Sequence, residues 1–304
     1  MNAKKVGVAI VTYNNVYSTL LAIESVLHSD YRNIELLVVD NGSNELCEKQ
    51  LRNELDERGY RVEILCMNER YGYGAACNRA AQYLLARDAE LLLFLNNDVI
   101  LNKQCILRLS FHFEEERTKA VGPKIYRGFS DIICSTGGFF NKASLVVTNR
   151  GNGEKDKGQY DKTENVEFVN GCAFLVSAKY FIELGGFDEK FYYYSEETDL
   201  CYRIIKEGGS IIYEPQAIVY HWTSTTFGDD SKKTLYYLTR SALYFVKKHT
   251  GSNRVFVRHL AYILYNFIIK LTYCRVGAII TRYIAVIRGI RDFFRGKTGT
   301  GPYL

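Results

Sequence analysis

The chain has 304 residues, a formal net charge of +5, 47% hydrophobic residues and 24% charged residues. These values are ordinary for a soluble globular protein of one large or two small domains. The eight cysteines contain no C-x-x-C pair, which excludes zinc-ribbon spacing and favours reduced, buried thiols in a cytosolic protein. Polar residues follow the first apolar run, Val6–Val11, at once, so no signal peptide is expected.

The first hundred residues alternate between strand and helix patterns. Continuous apolar runs are typical of strands that are buried on both faces. Between these runs lie segments with the apolar spacing of a helix, such as 19–27 and 75–86. Repeated β-α units of this kind predict a parallel sheet flanked by helices. The predicted strands are Val6–Val11, Ile34–Val39, Val62–Cys66 and Leu91–Leu95.

Polar clusters follow three of these strands directly. Because ligands of open parallel sheets bind outside the carboxyl ends of the strands, we expect the three clusters to share one edge and to form a binding site. The clusters are Thr12–Asn15, Asp40–Ser43 and Asn96–Asp98.

The second half of the chain has a less regular pattern. A polar, glycine-containing stretch at 149–163 predicts a mobile loop. Helices are predicted at 178–184 and 196–207, and each is followed by a Gly-Gly pair that ends it. Strands are predicted at 121–126, 132–140, 168–176, 211–213 and 217–220, and an amphipathic helix at 232–248.

The cluster Asn96-Asn97-Asp98 has two interpretations. Its oxygens suit a divalent cation, although a single carboxylate would need the ligand's own phosphates to complete the coordination shell. Taken alone, the cluster is more often a cap between a strand and the next element.

The segment Ser195–Asp199 carries the acids Glu196, Glu197 and Asp199 at the start of a predicted helix. One interpretation is a helix N-terminus that Ser195 caps and the acids stabilise through the helix dipole. The other is a catalytic site, because aromatic residues on both sides would partly desolvate the acids and raise their pKa values, as suits a general base. The residues alone favour neither interpretation.

Two further features are ambiguous on their own. His221 follows a short predicted strand, and a single histidine is more often structural than a ligand. Gly72 and Gly74 partly match a dinucleotide-binding loop, but Cys77 stands where the third glycine is required. A loop with close backbone approach is therefore favoured.

Together and in this order, these segments resemble glycosyltransferase family two, in its bacterial rhamnosyltransferase-like branch with the GT-A fold. The resemblance covers about residues 6–222. It implies an α/β fold with a Rossmann-like, mostly parallel sheet flanked by helices. The matching motifs are VAIVTYNN (Val8–Asn15), VVDNGS (Val38–Ser43), NERYGYGAACN (Asn68–Asn78), FLNNDV (Phe94–Val99), GGFDEKFYYYSEETDLCYRI (Gly185–Ile204) and YEPQAIVYHW (Tyr213–Trp222).

The resemblance implies roles for the positions that would hold the nucleotide sugar. Tyr13 would stack on the base and Asp40 would hydrogen-bond to it, while Thr12 and Asn14 would line the same pocket. The other positions that match nucleotide-sugar contacts are Gly72, Asn78, Asn96 and Asn97.

The resemblance also implies a divalent cation, Mg²⁺ or Mn²⁺. The family's D-x-D motif falls on residues 96–98, where an amide replaces the first acid, so Asp98 supplies the carboxylate. His221 matches a histidine that joins the metal or the diphosphate. The family's acidic pair falls on Glu196-Glu197, which makes Glu197 the expected catalytic base, with Glu196 and Asp199 as alternatives.

The implied function is inverting transfer from a nucleotide-sugar donor, dTDP-rhamnose or a UDP-hexose, to a glycan or lipid-linked acceptor in bacterial cell-surface polysaccharide synthesis. Two alternatives stay open. A non-catalytic nucleotide-sugar-binding relative would fit the departures at Asn96 and Glu197. A nucleotidyltransferase is disfavoured, because it would carry a glycine-rich phosphate loop where the first predicted strand is followed by Thr12–Asn15.

The C-terminal part is predicted to differ from the rest. Residues 1–230 would form the catalytic domain, with a nucleotide-binding half at 1–100 and an acceptor-binding half at 101–230, and residues 231–304 a helical, amphipathic extension. Residues 254–297 contain nine Lys/Arg and one acid, a net charge of +8 that leaves −3 for the remainder. This distribution argues against a nucleic-acid partner.

The basic extension is expected to contact an anionic membrane surface through residues 254–297, which would place the protein in the cytoplasm at the inner face of the cell membrane. Its apolar stretches are too short to span a bilayer, which takes about 20 residues. Packing on the catalytic domain or on a second subunit of a homo-oligomer is the alternative.

Overall fold

A computed structural model describes residues 3–222, 232–272 and 276–302, and the side chains of these residues except 266–272 and 276–281. Cys274 and Arg275 lie outside the described residues. The strands are β1 (Val6–Thr12), β2 (Ile34–Asp40), β3 (Glu63–Cys66), β4 (Leu91–Asn96), β5 (Val99–Leu101), β6 (Thr118–Arg127), β7 (Ile133–Ser135), β8 (Gly138–Phe140), β9 (Val147–Asn149), β10 (Glu164–Val166), β11 (Ala173–Ser177) and β12 (Ser210–His221). The helices are α1 (Val16–Leu27), α2 (Glu45–Glu57), α3 (Tyr73–Leu85), α4 (Cys105–Ser110), a 3-10 turn (Phe111–Glu114), α5 (Ala178–Glu183), α6 (Glu196–Lys206), α7 (Lys232–His249), α8 (Asn253–Thr272) and α9 (Val276–Phe294).

A central sheet organises the fold, with the strand order β10-β12-β6-β11-β4-β1-β2-β3. The pairs β4–β1, β1–β2, β2–β3 and β12–β6 are parallel, whereas β11 is antiparallel to both β4 and β6. The sheet with its flanking helices confirms the predicted α/β class, and the predicted β-α units form its parallel half.

Both faces of the sheet are covered, which explains why the strands are continuous apolar runs. Along β1, Val8 and Ile10 belong to one buried cluster with residues of α1 and α2, while Ala9 and Val11 belong to another with residues of α3. The seven described cysteines are free thiols, and five of them are buried, as expected.

Two predicted boundaries differ from the structure. The stretch 132–140 divides into β7 and β8, which belong to different sheets, because Gly137 between them adopts a left-handed φ of +78°. The two strands predicted around 211–220 are one strand, β12, with a bulge between Glu214 and Ile218.

The stretch at 149–163, predicted to be a mobile loop, is attached to the sheet by charged side chains. Lys124 of β6 is buried and pairs with Asp156 and Asp161. Tyr126 also donates a hydrogen bond to Asp156. These interactions fix a polar segment that has few apolar side chains to bury.

The C-terminal residues form three helices, as the predicted extension requires. The first of them, α7, is not peripheral, because Tyr236, Tyr237, Leu243 and Val246 are fully buried. Across the part of the chain that the structure describes, no helix is both long and apolar enough to cross a bilayer.

Candidate active site

The carboxyl ends of β1, β2 and β4 meet at one edge of the sheet. Thr12 lies beside Asp40 in the register of β1 and β2, and Val11 lies beside Asn96 in the register of β1 and β4. The three polar clusters predicted to share an edge therefore do so. This adjacency follows from parallel pairing, because strands that run in the same direction end at the same edge.

Asn97 is hydrogen-bonded to β1 and α1. Its side-chain amide donates to the hydroxyls of Thr12, at 3.1 Å, and Thr19, at 3.3 Å, and these two hydroxyls are 2.7 Å apart. All three residues are buried. The amide hydrogens of Asn97 thus fix the turn that carries Asp98.

Asn14 joins the ends of β1 and β2. It has a left-handed φ of +49°, its backbone N–H donates to the Ser43 hydroxyl, and its side-chain oxygen accepts from the backbone and side chain of Asn44. Asp40 accepts a hydrogen bond from the backbone N–H of Ser43. The polar residues of both loops thus form one connected network.

Tyr13 stacks against an arginine that the sequence analysis did not single out. The guanidinium carbon of Arg70 lies 3.7 Å from the centre of the Tyr13 ring, and its Nε donates to the Tyr193 hydroxyl at 2.9 Å. Arg70 thus links the tyrosine of the predicted base pocket to the aromatic segment before the acids. Its position in the glycine-containing loop, among aromatic residues, was the available signal.

Gly72 and Asn78 contact the segment that precedes the acidic helix α6. A Cβ on Gly72 would lie 2.5 Å from the carbonyl oxygen of Tyr192, so the two backbones touch. The Asn78 amide donates to the Phe187 carbonyl, and its oxygen accepts from the Phe187 N–H. Their predicted contacts with a nucleotide sugar stay predictions.

Asp98 and His221 lie together at the same edge. The Nε2 atom of His221 is 3.2 Å from an Asp98 carboxylate oxygen, and the N–H of Trp222 donates to the Asp98 carbonyl. Burial lowers the pKa of His221, but Cys172 and Asp98 oppose it and hold the pKa well above its ordinary value. A cation bound beside His221 would instead lower the pKa of the imidazole, because it disfavours a second positive charge nearby.

A divalent cation held by this pair would need further ligands, such as the oxygens of a bound phosphate. The buried Nδ1 atom of His221 has no hydrogen-bond partner among the described residues. The carboxylate of Asp98 suits Mg²⁺ or Mn²⁺, and the imidazole of His221 suits transition-metal ions. Within the residues described, no group of three His, Cys, Asp or Glu side chains could hold a metal alone.

The acidic helix α6 starts from a strained turn. Tyr194 and Ser195 have successive left-handed φ values of +66° and +70°, which are unfavourable for residues other than glycine. Ser195 makes no side-chain cap hydrogen bond, so the capping interpretation of this residue is wrong. Consecutive strained residues before an acidic helix are typical of a functional site.

Glu196 and Glu197 differ in environment. Glu196 is buried, its Oε2 has no hydrogen-bond partner in the described structure, and burial followed by the charge of Glu197 raises its pKa well above the usual range. Burial also raises the pKa of Glu197, which is partly exposed. Its side-chain carbons lie 3.1–3.3 Å from the position of a Cβ on Gly171.

Residues 170–172 bring the two parts of the site together. Glu197 packs against Gly171, and the carbonyl of the next residue, Cys172, accepts from the N–H of Asn96. Cys172 also interacts with His221. The acid, the residues at the end of β4 and the histidine therefore surround one turn, although they are distant in sequence.

Asp199 is held by two cationic side chains and a histidine. Its buried carboxylate lies 2.8 Å from Arg203 Nε, 2.7 Å from Lys248 Nζ and 2.7 Å from His249 Nε2. Although burial raises its pKa, His249, Arg203 and Lys248 lower it below the ordinary value. Lys248 also pairs with Asp188. The end of α7 thus holds the first turn of α6 in place.

The fold is that of a glycosyltransferase. The family model "Glycosyl transferase family 2" matches residues 7–185, more than half of the chain, and the protein belongs to this family. The family predicted from the sequence motifs is therefore confirmed.

Among particular proteins, the chain is similar to bacterial rhamnosyltransferases. It is 25% identical to the dTDP-rhamnosyl transferase RfbF of Shigella flexneri over an alignment that covers 97% of each chain. It is also 25% identical to the rhamnosyltransferase WbbL of Escherichia coli over an alignment that covers 74% of this chain and 97% of that protein.

Two solved structures share the fold. One is GalNAc-T7 with UDP, GalNAc and Mn²⁺, with a TM-score of 0.65 and 18% identity over 97% of this chain and 56% of that chain. The other is the mannosyltransferase PcManGT of Pyrobaculum calidifontis with GDP-Man and Mn²⁺, with a TM-score of 0.62 and 12% identity over 96% of this chain and 88% of that chain. These similarities confirm the predicted GT-A fold.

Proposed function

We propose that this family 2 glycosyltransferase is an inverting, metal-dependent enzyme that moves a sugar from a nucleoside diphosphate to an acceptor hydroxyl. The observation that carries the proposal is the location of Glu197, a partly exposed acid with a raised pKa. It packs on Gly171, in the same turn whose Cys172 contacts Asn96 and His221. In this proposal, a base, a metal pair and a nucleotide pocket would border one edge of the sheet.

The nucleotide would bind over the ends of β1 and β2. Tyr13 would stack on the base, and a carboxylate oxygen of Asp40 would accept a hydrogen bond from it. Arg70, which lies on the Tyr13 ring, would either cover the other face of the base or shift to admit it. The name of the Shigella relative supports dTDP-rhamnose as the donor, with a UDP-hexose as the alternative. Thermal stabilisation by one nucleotide class, with Mn²⁺ present, would identify the base.

Asp98 and His221 would hold the cation, Mg²⁺ or Mn²⁺. When bound, it would neutralise the negative charge on the leaving diphosphate. Asn97 would keep the Asp98 turn fixed through Thr12 and Thr19, so that the carboxylate is in position before the donor arrives.

Glu197 would act as the general base. Its carboxylate takes the proton of the acceptor hydroxyl while that oxygen attacks the anomeric carbon and the bond to the diphosphate breaks. Glu196 would stay protonated beside it, since burial disfavours its charged form. Asp199 is assigned a positioning role, because its carboxylate pairs with Arg203 and Lys248 and its pKa is lowered.

Glu197→Gln tests the base. We expect kcat to fall about a thousandfold, because a positioned general base contributes about 10²–10⁴ in rate. Thermal stabilisation by dTDP or UDP with Mn²⁺ should be unchanged. Glu183→Gln, at a half-exposed position on α5, is the matched control and should keep full activity.

Retention of wild-type kcat in Glu197→Gln would contradict the assignment of the base. A wild-type chain that is stabilised by nucleotides but neither transfers nor hydrolyses any of a panel of dTDP-, UDP- and GDP-sugars would support the non-catalytic alternative instead.

The acceptor is proposed to be lipid-linked and reached at the cytoplasmic face of an anionic membrane. Large apolar side chains on α8 and α9 are exposed, among them Tyr265 at 63% and Phe294 at 65%. A cavity of about 730 Å³ opens between α7, α8 and α9, and its lining combines cations with aromatic rings. Contributing residues include Lys190, Lys247, Lys297, Phe256 and Phe293.

Flotation with liposomes that contain phosphatidylglycerol tests this contact. Replacing Arg254, Arg258 and Arg295, all exposed, with Gln should weaken binding by about 3 kcal/mol, since each basic residue near an anionic surface contributes about 1 kcal/mol. The control replaces the exposed cations Arg32, Lys103 and Lys179 with Gln. Equal flotation of both triple variants would favour a second subunit as the partner of the extension.

A further inference from the structure

Four aromatic side chains form a cluster at the ends of β6 and β12, which we call the aromatic platform: Tyr126, Phe129, Tyr220 and Trp222. The rings of Tyr126 and Tyr220 are stacked with centres 6.0 Å apart. Phe129 meets Tyr220 edge-on at 5.0 Å and Trp222 edge-on at 4.8 Å. The four rings therefore form a continuous ladder.

The platform is open to solvent at Phe129, whose side chain is 71% exposed. Tyr126, Tyr220 and Trp222 are partly exposed. A group of large rings at the surface leaves apolar area in water, and grouped exposure of this kind marks a binding surface rather than a core. Gly128, which has a left-handed φ of +50°, lies beside the Trp222 ring.

The platform is directly joined to the metal pair. The N–H of Trp222 donates to the carbonyl of Asp98 at 3.0 Å, and the N–H of Gly128 donates to the carbonyl of His221 at 2.9 Å. The residues that carry the rings are thus held by the same backbone that holds Asp98 and His221.

The platform lies at the same edge of the sheet as the proposed base pocket, but several strands away from it. Strands β11 and β4 separate β6 from β1, which carries Tyr13 into the loop that follows it. At about 4.8 Å per strand, β6 and β1 are roughly 14 Å apart. A donor whose base lies on Tyr13 and whose phosphates reach Asp98 would leave the platform for the second substrate.

We propose that the aromatic platform binds a sugar ring of the acceptor, an inference that rests on the proposed transferase function. The C–H bonds on one face of a pyranose ring carry partial positive charge, and the faces of aromatic rings carry partial negative charge. Because Phe129 and Trp222 meet edge-on, a saccharide can stack on the face of one ring while the other ring closes one side of it. The platform thereby assigns the acceptor as a glycan, or the glycan part of a glycolipid.

The chain contains a single tryptophan, so its intrinsic tryptophan fluorescence reports on the platform alone. The experiment titrates methyl glycosides of rhamnose, glucose, galactose and N-acetylglucosamine into the full chain with Mn²⁺ and either dTDP or UDP. We expect a saturable fluorescence change with at least one glycoside. Phe129→Ala should weaken that binding about tenfold, and Phe111→Ala, at a site 53% exposed, should leave it unchanged.

Absence of a saturable change with every glycoside would overturn the proposal, as would equal affinity in Phe129→Ala and wild type. A change caused by the nucleotide alone, to which no glycoside adds, would also overturn it by placing the donor on the platform. Nucleotide-induced thermal stabilisation, measured on the same samples, separates the two proposals. If nucleotides stabilise the chain and no glycoside binds, only the platform assignment fails.

Discussion

The two parts of the site are positioned by different kinds of interaction. On the nucleotide side, Asn14 and Asn97 are held by neutral hydrogen bonds between loops that parallel strands already bring together. On the acid side, α6 is fixed through Asp199 by Lys248 and His249 of α7, about fifty residues along the chain. The first part depends on sheet geometry and the second on buried charge pairing, so the two should respond differently to substitution.

Asp199→Asn tests the acid side and should have the largest effect. Removing one partner of a buried charge cluster destabilises a protein by about 3 kcal/mol or more, here because Arg203 and Lys248 lose the negative charge that they share. Urea unfolding measures the change. Asp131→Asn, which breaks an exposed pair with Lys155, is the control and should cost about 0.5 kcal/mol or less.

The Asp199 prediction also has a pH dependence. Because the folded-state pKa of Asp199 is lowered, its stabilisation is present above the unfolded-state pKa and is lost as pH falls through the folded-state pKa. The difference in unfolding free energy between wild type and Asp199→Asn should therefore shrink on acidification. A difference that stays constant down to pH 3 would contradict the charge-pairing explanation.

Gly72→Ala tests the junction between the two parts. The new methyl group would lie 2.5 Å from the Tyr192 carbonyl, a backbone atom that cannot rotate away, so we expect a loss of about 2 kcal/mol. Thermal unfolding measures it, and the displaced Tyr192 segment should lower kcat as well. Gly251→Ala, where a Cβ would meet no atom within 4 Å, should be neutral or slightly stabilising.

Thr19→Val tests the nucleotide side and should have the smallest effect. Valine keeps the shape but removes a buried hydroxyl that interacts with Thr12 and Asn97, which should cost about 1 kcal/mol. The KM for the donor should rise because the Asp98 turn is less fixed. Thr148→Val, at an exposed strand position, is the control. An unchanged donor KM would show that the hydroxyl network is only structural.

Several functional positions could not be read from the sequence for physical reasons. Arg70 matters because its guanidinium lies on Tyr13, a contact between residues on different loops that no local pattern predicts. Gly171 matters because a Cβ there would lie 3.1–3.3 Å from the Glu197 side chain, which would have to shift to make room. Lys248 and His249 had no signal beyond being basic residues at the end of an amphipathic helix.

The amino-acid sequence was enough to predict the α/β class, the strands whose polar ends share one edge, and the family. These follow from local periodicity and from short motifs, because apolar runs and turn residues act within a few positions of each other. Only the tertiary structure separated the three acids into a buried partner, Glu196, a partly exposed acid, Glu197, and an ion-paired anchor, Asp199. Burial and charge pairing depend on residues that are distant in the chain, so the local sequence does not predict them.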